Sequence, residues 1–149
     1  MGDVTYGACC VDDLASDQMD CDLLVHYGHS CLVPITDTRR KVLYVFVEIQ
    51  IDIEHFVETV VFNFSAFTNH RLYILATIQF NNSLFLAKEA LQERGFSGIV
   101  IPQEKPRSAG EVLGCTSPRL PVATDRNIVI FLCDGRFHME ATMIANPEF

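Results

Sequence analysis

Six cysteines offer the first chemistry: Cys9, Cys10, Cys21, Cys31, Cys115 and Cys133. No two form a C-x-x-C pair, so neither a zinc ribbon nor a thioredoxin-like site is expected. No close run of three follows the ferredoxin spacing. A metal site in this chain must gather thiols that lie far apart in sequence. Cys9 and Cys10 sit in Tyr6-Gly7-Ala8-Cys9-Cys10-Val11-Asp12-Asp13, ahead of a helical pattern with Asp12 and Asp13 in its first turns. A thiol at a helix N-terminus has a lowered pKa and is a better metal ligand or nucleophile. The same residues also read as small side chains packing a tight turn.

Three further clusters stand out. His26-Tyr27-Gly28-His29-Ser30-Cys31 holds a His-x-x-His-x-Cys spacing that could supply three zinc ligands, but it lacks a fourth. A structural His26 with a site-facing His29 fits equally well. Activation of Cys9 or Cys10 by His26 or His29 would make a cysteine nucleophile. In Gly110-Glu111-Val112-Leu113-Gly114-Cys115-Thr116-Ser117-Pro118, Gly114 lets the backbone turn or approach something closely, and Cys115 falls on a loop. The alternative is a turn with an incidental thiol. In Asp134-Gly135-Arg136-Phe137-His138, a turn presents Arg136 and His138 beside a sheet edge, where Arg could take a carboxylate or phosphate. It is equally a surface turn with His138 starting a helix. Cys21 and Cys133 adjoin apolar runs and read as small hydrophobes. The chain has no G-x-G-x-x-G, Walker A, G-x-S-x-G or His-Glu-x-x-His pattern.

The elements that must position these residues follow from periodicity. Strands are expected over 22–26, 42–49, 71–78, 98–101 and 127–132, all continuous apolar runs. Between them, Asp52 caps a helix carrying Phe56, Val57, Val60 and Val61. Asn82 or Ser83 caps another, with Leu84, Leu86, Ala87, Ala90 and Leu91 on one face and Gly95 as its stop. Phe137 to Ile144 forms a last helix. Strands alternating with helices predict an α/β fold, a parallel sheet covered on both faces by helices. Ligands in such sheets bind beyond the carboxyl ends of the strands, which directs attention to 27–34, 103–120 and 135–138. The stretch from Gln103 to Asp125 is long, rich in Pro, Ser and Gly, and nearly aperiodic, as functional loops often are.

Composition narrows the function classes. The 149 residues are 49% apolar and 20% charged, an ordinary globular balance. A net charge of −8 disfavours nucleic acid as a partner. No apolar run reaches the roughly 18 residues of a membrane span. The N-terminus carries neither a basic region nor an apolar core of a secretory signal, so a reducing, cytoplasmic setting is expected.

The four motif stretches, in this order, resemble the diphthamide biosynthesis protein subunit 1 family, the 2-(3-amino-3-carboxypropyl)histidine synthases. The Val42–Val47 and Ala76–Phe80 runs and Met143-Ile144-Ala145-Asn146-Pro147 match in kind, so the likeness runs the length of the chain. The paralogous subunit 2 lacks the cysteine of Leu-Gly-Cys-Thr-Ser-Pro, whereas Cys115 is present here. The resemblance implies three related α/β domains around a [4Fe-4S] cluster, with one cysteine ligand from each. Two of these map to Cys9 and Cys115. It further implies that S-adenosylmethionine binds the unique iron and is cleaved to a 3-amino-3-carboxypropyl radical. That radical adds to a histidine of elongation factor 2, the first step of diphthamide synthesis. The implied partners are the subunit 2 paralogue, in a heterodimer, and a small iron protein that delivers electrons. His29, Arg136 and His138 are carried as motif positions at the site, without assigned roles.

Against that pattern the chain is short. Residues 1–50 correspond to the C-terminal part of a first domain and 51–149 to a nearly complete second domain. On this mapping the third domain and its cysteine ligand are expected to be absent. The isolated 149-residue chain is therefore expected to be inactive. A competing expectation is a truncated, non-catalytic interaction module that pairs with subunit 2.

Overall fold

The computed structural model describes residues 11–28, 33–121 and 127–149. The chain divides into two compact units, Met1–Val47 and Glu48–Phe149.

In the first unit, helix α1 (Asp13–Gln18) is capped by Asp12, whose carboxylate accepts a hydrogen bond from the Ala15 amide at 3.1 Å. Strand β1 (Leu23–Tyr27) pairs in parallel with β2 (Lys41–Val45), in register from Leu23 opposite Lys41 to Tyr27 opposite Val45. The apolar run after Val45 does not continue the strand, so β2 stops four residues short of the expected end. Leu23, Val25, Tyr27 and Leu43 are exposed.

The second unit holds a three-stranded parallel sheet in the order β4–β3–β5. Helix α2 (Ile53–Phe64) begins where expected, with the Asp52 carboxylate accepting from the His55 amide at 3.0 Å. Strand β3 (Arg71–Ala76) ends two residues early, and Ile78–Phe80 turn as a 3₁₀ helix into α3 (Asn81–Glu93). Neither Asn82 nor Ser83 caps α3; the position before it is Phe80, with no side-chain cap. The buried stripe of α3 is Ser83, Leu84, Ala87 and Leu91, while Leu86 points outward. Gly95 stops the helix with φ of 92°. Strands β4 (Gly98–Val100) and β5 (Asn127–Leu132) flank β3, and α4 (Phe137–Ala145) follows.

Strand β3 is buried from Leu72 to Ala76, which accounts for its unbroken apolar sequence. Alternate side chains serve two cores. Leu72, Ile74 and Ala76 pack with Val57 and Val60 of α2 and with Leu84 and Leu91 of α3. Tyr73 and Leu75 face the other way and pack with Val112 and Leu120. Helices α2 and α3 therefore cover one face, and the aperiodic segment around 112–120 covers the other. Helix α4 shares that second side, where Met139, Thr142 and Met143 lie beside Val129 and Phe131 of β5, so helices flank both faces as expected, and over β3 a segment without helical periodicity adds to the cover.

Candidate functional site

The carboxyl end of β3 is where the second unit concentrates its unusual backbone. The Ala76 amide donates to the Gly110 carbonyl at 2.8 Å, and the Val112 amide donates to the Ala76 carbonyl at 3.0 Å. This parallel bridge between Ala76 and Glu111 brings the 110–112 segment alongside the end of β3. Gly110 is required there twice over. Its φ is 81°, and a Cβ would stand 2.4 Å from Leu84 Cδ1 and 2.9 Å from Ile101 Cγ2. Val112 and Leu113 are then buried, which fixes the direction in which the chain leaves the sheet.

Immediately beyond, the chain reverses in a two-residue turn. The Leu113 amide donates to the Thr116 carbonyl at 3.1 Å and the Thr116 amide to the Leu113 carbonyl at 3.3 Å. Gly114 and Cys115 form the tip, and Cys115 is exposed. A Cβ on Gly114 would lie 2.0 Å from Phe137 Cε1, so the aromatic ring at the start of α4 rests directly on the glycine. The close approach anticipated at Gly114 is thus an approach to Phe137.

Two buried side chains hold this turn. Arg107, 5% exposed, donates from Nη1 to the Thr116 carbonyl at 2.8 Å and pairs through Nη2 with the Glu104 carboxylate. Asn146, 4% exposed, accepts the Leu120 amide at 2.7 Å and donates to the Pro118 carbonyl at 3.0 Å and the Thr142 carbonyl at 2.9 Å. Ser117 Oγ donates to Thr142 Oγ1 at 3.0 Å. Leu113, before Cys115, is buried, the residues after it are tied to buried anchors, and Cys115 at the tip is exposed. Beside it lies a cleft of about 360 Å³, lined by Cys115, Ser117, Arg119, Ala141, Ile144 and neighbouring backbone.

Not every residue singled out in the sequence joins this site. Cys9, Cys10, His29 and Cys31 lie outside the described residues. His26 is on β1, its ring edge-on to Tyr44 with centroids 5.4 Å apart. Arg136 is largely exposed, and its Nε pairs with Glu140 at 3.3 Å one helical turn on. His138 is half-buried, with its ring edge-on to Phe137 at 5.5 Å. Both flank the phenyl ring that seats on Gly114, but neither lines the cleft beside Cys115. Cys133 lies one residue past β5 and is half-buried. No cluster of three His, Cys, Asp or Glu side chains able to hold a metal occurs among the described residues. Arg107 and Asn146 went unmarked as site residues because each acts on backbone distant in sequence, which leaves no spacing pattern to read.

Known proteins share this sequence and architecture. A family model for diphthamide synthesis proteins matches residues 1–149. The 2-(3-amino-3-carboxypropyl)histidine synthase subunit 1 of Dictyostelium discoideum is 55% identical over 154 residues, which is 99% of this chain and 32% of the relative. The subunit of the same name from Nematostella vectensis is 57% identical, over 99% of this chain and 30% of its own. This chain thus spans about a third of the length of the curated relatives it matches. Among solved structures, Dph2 from Pyrococcus horikoshii aligns with a TM-score of 0.68 at 24% identity, over 93% of this chain and 40% of that one. The same protein solved with a 4Fe-4S cluster aligns with a TM-score of 0.65 at 26% identity, over 93% of this chain and 39% of that one.

Proposed function

The chain belongs to the diphthamide synthesis protein family, and from that premise we propose that it is part of a 2-(3-amino-3-carboxypropyl)histidine synthase, with Cys115 as a ligand of an iron–sulfur cluster. The observation that carries this reading is the placement of Cys115. Its thiol stands exposed at the tip of a doubly anchored turn, at the carboxyl end of a parallel sheet. A structural relative with the same architecture contains a 4Fe-4S cluster.

The donor chemistry fits. Iron–sulfur clusters take thiolate ligands, and a thiol that must reach a cluster from one domain has to be held rigidly and left open to what lies beyond. Cys115 meets both conditions, and Cys9 is the proposed second ligand. A third ligand would come from chain outside this sequence, in keeping with a three-domain enzyme of which residues 1–50 and 51–149 are parts of the first and second domains. Bound there, a [4Fe-4S] cluster supplies the electron that cleaves S-adenosylmethionine for transfer of its 3-amino-3-carboxypropyl group to a histidine of elongation factor 2. This chain's share in that chemistry is to supply two of the thiolates, Cys9 and Cys115, and to form, with Arg119 and α4, a wall of the cleft beside Cys115. A subunit 2 paralogue as partner, a small iron protein as electron donor and a cytoplasmic location complete the proposal.

The test is Cys115→Ser in the complete protein as its source cells make it, reconstituted anaerobically with iron and sulfide. The expected result is a loss of bound iron and of the visible charge-transfer absorbance, with far-UV circular dichroism unchanged. A Cys115→Ser protein that keeps the full iron content and spectrum would remove Cys115 from the ligand set.

A further inference from the structure

We propose that Arg107 is the positioning residue for the Cys115 thiol, acting through the carbonyl of Thr116. The inference deepens the reading of Cys115 as a cluster ligand and rests on it.

The Thr116 carbonyl is the hinge of the argument. It accepts the Leu113 amide at 3.1 Å, which closes the turn, and Arg107 Nη1 at 2.8 Å, which ties the turn to the body of the domain. One oxygen with two lone pairs thus serves both bonds. Without the guanidinium the turn would still close, but it would do so on a segment no longer fixed from the Arg107 side. That oxygen belongs to the 116–117 peptide, and Thr116 follows Cys115 directly and closes the same turn through its amide, so a displacement of the Thr116 backbone carries the thiol-bearing residue with it.

Arg107 is built for this role at some cost. A guanidinium 5% exposed is expensive to bury unless its donors are met. Here the fork reaches Glu104 on one side and Thr116 on the other. Its backbone is held too: the Arg107 amide donates to the Glu104 carbonyl at 3.1 Å, and Gln103 Nε2 donates to the Arg107 carbonyl at 3.0 Å. On the far side, the Glu111 carboxylate accepts the Ser108 amide at 2.9 Å while the Glu111 amide donates to the Ser108 carbonyl at 3.2 Å. The 103–111 segment is therefore a braced platform, and Arg107 is the arm that extends from it to the thiol-bearing turn. A lysine cannot replace it, since one ammonium cannot present a planar fork to two acceptors on opposite sides.

The test compares wild type, Arg107→Lys and Glu104→Gln in the complete protein, with two readouts. Amide hydrogen exchange at Leu113 reports turn closure directly. The electron paramagnetic resonance spectrum of the reduced, reconstituted protein reports the geometry around the cluster, which a merely structural loss elsewhere would not alter. In Arg107→Lys, exchange at Leu113 is expected to quicken about tenfold, the equivalent of one net hydrogen bond, with β3 amides unchanged. The g-values are expected to shift at equal iron content. Glu104→Gln, which leaves the bond to Thr116 in place and keeps a side-chain oxygen that can accept from the guanidinium, should quicken Leu113 exchange by no more than about twofold. Unchanged exchange and an unchanged spectrum in Arg107→Lys would overturn the proposal, as would faster exchange with an identical spectrum. A wild-type protein that takes up no iron would overturn the cluster reading, and with it the purpose assigned to Arg107. Leu113 exchange would then still decide whether Arg107 fixes the turn.

Discussion

Asn146 shows how much one carboxamide can fix. Its oxygen accepts Leu120's amide and its nitrogen donates to Pro118 and Thr142, so the whole group is spent on backbone, one helical turn back at Thr142 and far along the chain at Pro118 and Leu120. Replacing it with alanine strands the Leu120 amide and the Pro118 carbonyl in a buried setting. Asn146→Ala is expected to lower stability by about 3 kcal/mol, read from the midpoint of urea unfolding; a midpoint equal to wild type would mean that water replaces the amide without loss. Asn146→Asp should be at least as damaging, because a carboxylate would face two carbonyl oxygens. Nothing in the local sequence announces this residue. Its partners Leu120 and Pro118 lie 26 and 28 positions away, and periodicity reads only neighbours. Asp52 is the opposite case: a cap acts three residues along the chain, so its role could be read directly.

Among the elements, the most informative junction is between α1 and β2. Arg40, just before β2, reaches Asp17 Oδ1 at 2.9 Å and Asp20 Oδ1 at 3.0 Å, and Arg39 reaches Asp17 Oδ2 at 3.4 Å. The hydrogen bond from Arg40 is the main cause holding the Asp17 carboxyl below its ordinary value of 3.8. Desolvation opposes it, and the charges of Arg40 and Arg39 add to it. A depressed folded-state value means that the unfolded chain binds the proton more readily. The contribution to stability is therefore full above pH 3.8 and is lost as pH falls through the lowered folded value. Acid unfolding of wild type should be steeper in that window than that of Asp17→Asn, followed by circular dichroism. Coincident profiles would show that solvent screens the junction entirely. Element identities were legible because β3 and β5 are unbroken apolar runs and α2 carries a clean stripe. Their ends were less so: β2 and β3 stop short of their apolar sequence, and α3 starts without a polar cap. The cover of the second face of β3 was illegible, since Val112 and Leu120 sit in a segment that has the composition of a loop.

At the scale of the molecule, apolar surface is left in the open. Phe62 is 86% exposed, Ile144 80% and Tyr27 68%. Strand β5 forms one edge of its sheet among the described residues, and none of its six residues is fully buried. An apolar, flat edge strand is a template for pairing with another chain. The 149-residue chain by itself is expected to self-associate, its sedimentation coefficient rising with concentration; a single species of monomer size across the range would refute this. No helix among the described residues is long and apolar enough to cross a membrane. The parallel α/β character was readable from the order of the elements, whereas the side chains that fix the backbone around Cys115 emerged only with the backbone in place.

The seating of Phe137 on Gly114 ties that loop to a helix well removed in sequence. Thr142 and Asn146, further along the same helix, clasp Ser117, Pro118 and Leu120. Residues 107–120 and 137–146 are thus a single transplantable cassette, with strand β5 threaded between its halves. A chimera that moves the cysteine turn into another parallel sheet without its helix would carry the thiol but not the jig that holds it, whereas moving both stretches together should transfer the geometry intact.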